Sequence, residues 1–347
     1  MTEKDNIPIA EEKLSKRDRL KSKGFFTPLT STPYLLWMVV FIIVPLVLIA
    51  VFAFTTDVYV DESGNIIDSE MTAYLEGAGV DFETGEYPED YEFDEEYDLD
   101  ISEIAFPLTE QTVFTMSNII SVSSYMGVFV KSIWLALIAT VICLVLAYPL
   151  AYLISRMHFS RQQIYLLLVM LPMWMNFLLR TYAWMTLLER NGWINKLFGL
   201  IGLGPFEMIN TPGAVVLGMV YNYLPFMILP LYSVMEKIDN SLVEAAADLG
   251  SNNARVFSRV VLPLSLPGVA SGITMVFVPS VSTFIISRML GGGTNMLIGD
   301  LIDLQFLGNA YNPNLGAAMS LVLMVFVLLC MSITNSLDNE DSEGMVI

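Results

Sequence analysis

Six stretches of this chain run apolar for about the 20 residues that a helix needs to cross a bilayer, and the charges collect between them. The runs cover residues 34–54, 126–154, 164–188, 213–235, 268–288 and 315–336. At about 1.5 Å of rise per residue each reaches roughly 30 Å, the thickness of the hydrocarbon core. The pattern predicts an all-α, polytopic membrane protein with six transmembrane helices. The first run is longer than a signal-peptide core and no small-residue cleavage pattern follows it, so it is read as an uncleaved anchor.

Basic residues set the expected orientation. Lys4, Lys13, Lys16, Arg17, Arg19, Lys21 and Lys23 precede the first run. Arg156 and Arg161 lie between the second and third, and Lys237, Arg255 and Arg259 between the fourth and fifth. That places 12 of the 17 Lys and Arg residues on one side, which the positive-inside rule makes cytoplasmic. An even number of spans returns the C-terminus to the same side. The predicted order is a cytoplasmic basic segment 1–33, a first span 34–54 and an acidic extracellular loop 55–125. A five-helix core 126–336 with a cytoplasmic loop 236–267 follows, then an acidic tail 337–347.

Composition agrees with solvation by lipid: 54% of residues are hydrophobic and 15% charged, against about 25% charged in soluble domains. The net charge of −19 is local. Residues 57–110 hold 19 of the 36 acidic side chains and no Lys or Arg, leaving the rest of the chain balanced. High charge without bases argues against a large core there, so the segment is read as a solvated, partly ordered loop. The sharper alternative is that it attracts a cationic solute or docks an external binding protein. Cys143 and Cys330 fall inside apolar runs and read as small buried hydrophobes, and one histidine, His158, supports no histidine-based metal site. No metal site and no nucleic-acid partner are expected.

The loop between the fourth and fifth runs carries the most specific pattern. Residues 241–249 suit a short helix, Gly250 sits where a left-handed cap is needed, and residues 251–253 can cap a second helix over 254–261. Pro263 and Pro267 then mark re-entry into the membrane. By patterning alone this is a helix–turn–helix at the membrane face, and an amphipathic interfacial loop fits equally well.

Glu244-Ala245-Ala246, three residues and Gly250, then Leu262-Pro263, resemble the EAA loop of binding-protein-dependent ABC importer permeases. That resemblance implies the type I importer (MetI-like) fold and a loop whose helices sit in a cleft of a separate ATPase. Small alanines would enter the cleft, Gly250 would permit the turn, and Glu244, Arg255 and Arg259 would fix orientation. No G-x-x-x-x-G-K-[ST] phosphate loop occurs, so ATP and its magnesium are expected on a partner, and the chain is expected to bind no cofactor and to be no enzyme. Residues 178–188, LLRTYAWMTLL, the following Asn191-Gly192-Trp193-Ile194-Asn195, and residues 291–302 resemble the spermidine/putrescine (PotB-type) branch. The branch implies a second permease subunit as heterodimer partner, a dimeric cytoplasmic ATPase and an extracellular polyamine-binding protein.

A polyamine needs carboxylates to replace its hydration and aromatic faces for cation–π contact. Candidates for its path are Glu189, Asp300 and Asp303 with Tyr182, Trp184, Tyr221 and Tyr223; the aromatics equally suit an interfacial belt and the acids a solvated loop. Asn176, Arg180 and Trp184 recur every four residues and share a helix side. Arg180, deep in the third run, would repel a cation, so it is read as structural or gating, paired with an acid or with carbonyls. Asn222, Ser271, Thr274, Ser280, Ser282 and Thr283 are read as interhelical glue, with cavity lining as the second reading, and Pro172, Pro225, Pro230 and Pro279 as kinks. Rival expectations are a permease of the same family for thiamine, ferric iron or a sugar-like solute, and an ATP-independent secondary transporter, which leaves the loop pattern unexplained.

Overall fold

A computed structural model describes residues 36–67, 69–86, 104, 106–308 and 311–343. The basic N-terminal segment, much of the acidic run (with Tyr87, Tyr91, Phe93 and Tyr97) and the last residues of the tail lie outside them. The chain divides at Val51 into two compact units. The first ends in most of helix α1 (Leu36–Ala53), which is apolar all round and long enough to cross a membrane.

From Phe52 the second unit begins with a small lobe. Strand β1 (Thr55–Val60) pairs antiparallel with β2 (Thr109–Phe114), Thr55 opposite Phe114 and Val60 opposite Thr109. Between them helix α2 (Ser69–Gly77) buries Leu75 against Ala78, Val80 and Leu108, with Tyr59 edge-on to Phe82 at 4.8 Å. Asp61 closes the turn after β1: its carboxylate accepts from the Asn65 backbone N–H at 2.7 Å and from the side-chain amide at 3.1 Å. The loop expected to be largely solvated therefore holds a small apolar core, assembled from residues far apart in sequence that acidic stretches separate. Asn118 ties the lobe to the bundle by donating to the Thr55 carbonyl at 2.7 Å.

The bundle is built around three helices: α3 (Met126–Ser155), α7 (Pro212–Met235) and α9 (Leu262–Val281). On α3 the small residues Ala136, Ala139, Cys143, Ala147 and Ala151 recur every three or four positions and are buried. Such a stripe lets a neighbouring backbone come close. Trp134, Val145, Leu146 and Leu153 stay exposed, as lipid-facing residues should. α7 runs through the middle and buries Val215, Met219, Met227, Leu231 and Met235 completely. Where α9 crosses it, a Cβ on Gly272 would lie 2.6 Å from the Met227 sulfur, so glycine sets the approach.

Two of the expected spans differ from a single rod. Residues 164–188 form α4 (Phe159–Met170), a 3-10 turn (Leu171–Trp174) and α5 (Phe177–Leu188), and the pair bends by 89°. Pro172 tightens the end of α4, Met175 is extended, and the Asn176 side-chain oxygen Oδ1 accepts from the Leu178 N–H at 2.8 Å to start a new helix. Among the described residues five helices are long and apolar enough singly, and counting this broken pair, with α6 (Trp193–Leu200) after it, as one span gives six. The fifth span ends at Val281, and Arg288 belongs to a separate short helix, α10 (Ile285–Gly291). α11 (Ile298–Leu307) and α12 (Pro313–Glu343) complete the chain, α12 packing on α9 and α11.

Candidate functional site

At one end of the bundle the chain leaves α7 at Met235 and enters helix α8 (Asn240–Asp248). Asp239 starts that helix by accepting from the Ser241 N–H at 2.9 Å. The same backbone bond, then the Ser241 hydroxyl, holds the Asp239 carboxyl below its ordinary value. α8 ends through a left-handed Gly250, φ +80°, over which the Ser251 N–H bonds the Ala246 carbonyl at 3.2 Å. That six-to-one bond is the expected Gly cap, and a side chain at 250 would meet strain rather than a clash, because the space around it is open. Asn252 then accepts from the Arg255 N–H at 2.9 Å to start the next helix, Asn253–Val256.

Re-entry is smoother than the two prolines suggest. A π turn over Phe257–Val261 runs directly into α9, with Pro263 in the first turn of α9 and Pro267 inside it. Ala245, Glu244, Arg255, Arg259 and Pro263 are exposed and Ala246 is half-buried. Among the described residues Glu244, Arg255 and Arg259 have no ion-pair partner. Leu249, at the tip, is 88% exposed, an apolar knob beside the turn that sequence reading passed over. The hairpin thus offers small residues, a bare leucine and unpaired charges of both signs on one projecting turn.

Two other contacts at this end were not legible in sequence. Arg156, just past α3, donates through Nη1 to the Ile238 carbonyl at 3.3 Å and to the Asn240 side chain, with its guanidinium over the Tyr152 ring. Phe257 packs edge-on against Tyr148 and Tyr152.

The candidate path residues fall into separate groups. Trp184 on α5 meets Tyr221 on α7 edge-to-face at 5.3 Å. Tyr223 is buried; its hydroxyl donates to the Pro279 carbonyl at 3.3 Å and lines a cleft of about 220 Å³ with Phe177, Ser282 and Thr283. Tyr182 is exposed, and Glu189 caps the end of α5 with its side chain exposed. Asp303 pairs with Arg288. Asp300, 3% exposed, spends Oδ2 on the Leu297 N–H at 2.8 Å at the start of its own helix, while Oδ1 has no hydrogen-bond partner among the described residues. The acids on α11 are therefore engaged locally rather than gathered with the aromatics.

Arg180 departs from expectation. It is 8% exposed, its guanidinium lies 5.8 Å from the Phe177 ring centre, and Nε and Nη1 are buried without an acceptor among the described residues. The acid or carbonyl partners expected for these two nitrogens are not there. Asn176 serves as the cap of α5 rather than as a neighbour for the guanidinium. Asn222 donates to the Gly218 carbonyl at 2.9 Å within its own helix, leaving Oδ1 without a partner among the described residues.

Comparison with known proteins places this geometry. Residues 113–339 match the family described as binding-protein-dependent transport system inner membrane component. The spermidine/putrescine transport system permease protein PotB of Escherichia coli K12 is 39% identical over 217 residues, 61% of this chain and 78% of that protein. The protein of the same description from Haemophilus influenzae is 40% identical over 227 residues, 65% of this chain and 78% of its own length. In fold, the chain is similar to the crystal structure of a bacterial ABC transporter that imports the acidic polysaccharide alginate, with TM-score 0.60 at 14% identity, over 94% of this chain and 99% of that one. This chain belongs to the binding-protein-dependent transport system inner membrane components, as a permease of the type I ABC importer fold.

Proposed function

We propose that the chain is the transmembrane permease subunit of an ATP-driven importer of polyamines, spermidine or putrescine. One observation carries the substrate: identity of about 40% to two permeases described as spermidine/putrescine proteins, over 78% of their length. In this reading the hairpin lies on the cytoplasmic side, with the N- and C-termini. A dimeric cytoplasmic ATPase binds and hydrolyses ATP with magnesium, receiving α8 and the Leu249 tip in a cleft. A second permease subunit completes the path as a heterodimer, and an external binding protein delivers the solute on the lobe side.

Within the path, the Trp184–Tyr221 pair offers π faces to an ammonium group, and Glu189, exposed at the end of α5, offers a carboxylate at its entrance. Arg180 acts as a gate: a positive charge beside the Tyr223 cleft opposes leakage of small cations until the assembled complex counters it. The acidic lobe enriches cations locally, over the roughly 8 Å that physiological salt allows, or docks the loaded binding protein.

The test is ATPase activity of the whole reconstituted complex with its binding protein. Spermidine or putrescine should stimulate it and compete with each other. Stimulation by thiamine, ferric iron or a sugar instead, with polyamines inert, would reassign the substrate within the same family.

A further inference from the structure

We infer that α3 is the rod through which the hairpin moves the far end of the bundle, gripped at its hairpin end by Arg156 and Phe257; this rests on the coupling role proposed above. Tyr148, Tyr152 and Arg156 recur every four residues and so share one face at the end of α3. The hairpin touches that face twice. Its entry is held by Arg156 Nη1 on the Ile238 carbonyl and the Asn240 side chain. Its exit is held by Phe257, whose ring stands at 74° to Tyr148 and 90° to Tyr152, with centres 5.3 and 6.2 Å away. Arg156 Nε and Nη2 are buried with no acceptor among the described residues. A guanidinium kept buried and only partly bonded is costly, and its grip on the hairpin is what it does there.

α7 and α9 follow the hairpin because the chain is continuous; α3 has no such link and is held to it by this clamp, beside the 2.7 Å hydroxyl bond between Tyr148 and Ser265 and its packing along α7 and α9. Phe257 opens the π turn, a local register change of the kind that recurs at functional sites in helices. The stripe of small residues on α3 gives a smooth surface against α7 on which a rod can shift. About 37 Å away by helical rise, the other end of α3 holds the loop before α11. Lys131 donates to the Asn295 side chain at 3.1 Å, and Ser132 Oγ accepts from the Ile298 N–H at 2.8 Å. Hairpin and far-side loop thus share one continuous helix, with Arg156 and Phe257 as positioning residues rather than groups that touch solute.

The readout is polyamine accumulated per ATP hydrolysed by the reconstituted complex, at matched amounts of assembled complex. Phe257→Leu and Arg156→Gln should each lower this ratio about threefold or more while the ATPase still co-purifies and turns over. Phe257→Tyr, which keeps the ring, should restore it. A ratio equal to wild type in both variants overturns the proposal, as does a loss confined to assembly with the ratio intact. If the wild-type complex accumulates no polyamine, the substrate reading fails instead. Stimulation of the ATPase by the binding protein, retained or lost in Phe257→Leu, then decides the clamp.

Discussion

Gly250 is the residue whose chemistry the coupling role depends on most. Its φ of +80° costs a β-branched residue about 1–2 kcal/mol, although nothing stands in the way of the side chain itself. Gly250→Val should therefore weaken co-purification of the ATPase and reduce transport, whereas Gly250→Asn, which tolerates the left-handed region, should keep most of both. Arg180 makes the opposite kind of prediction. With two buried nitrogens unpartnered among the described residues, Arg180→Met should leave thermal stability unchanged or raise it, while uptake or leakage of small cations changes. A fall in stability with unaltered transport would make Arg180 a structural residue. Asp239 sets the pH behaviour of the hairpin start. Its carboxyl titrates below its ordinary 3.8 because the Ser241 N–H favours the charged form. The cap is thus fully present above that ordinary value and lost only as pH falls through the lower one. Coupling should show no inflection from this group between about pH 6 and 8, and Asp239→Asn should leave the profile flat there.

At the scale of elements, long apolar runs identified the spans well, since lipid demands about 20 apolar residues whatever the tertiary contacts. The break in the third span was hidden for a physical reason. Met175 and Asn176 sit inside an apolar run, and only the bond from the Leu178 N–H to the Asn176 side chain decides that a new helix starts there. The hairpin was readable because its turn is local: Gly250, Asn252 and Asp239 each act within a few residues. The Arg156 and Phe257 contacts were not, since they join positions about 80 to 110 residues apart with no pattern of their own. For the same reason the lobe core around Leu75 and Leu108 was invisible beneath the acidic composition. The candidate site was legible in its hairpin half and scattered in its path half, where Asp300 and Asp303 turned out to be bound locally. Deleting residues 61–103 should lower polyamine uptake and flatten its dependence on salt, measured from low to physiological ionic strength. Unchanged uptake at every salt concentration would leave the lobe without a part in transport.

As a whole the molecule is a family member whose membrane core carries no ATP-binding loop in its sequence and presents a bare, charged hairpin at one end. In the proposed function permease architecture and hairpin belong together: the bundle would supply a path with aromatic faces, and the hairpin a handle by which an outside motor could change its shape. The same fold serves an alginate importer, so the fold does not choose the solute. The proposed choice rests on the relatives. Accumulation of labelled spermidine by proteoliposomes holding the complete complex is the most direct measurement. The account predicts uphill accumulation that requires ATP on the hairpin side and is abolished when Gly250 carries valine. Accumulation that proceeds without ATP, or that survives Gly250→Val undiminished, would contradict it.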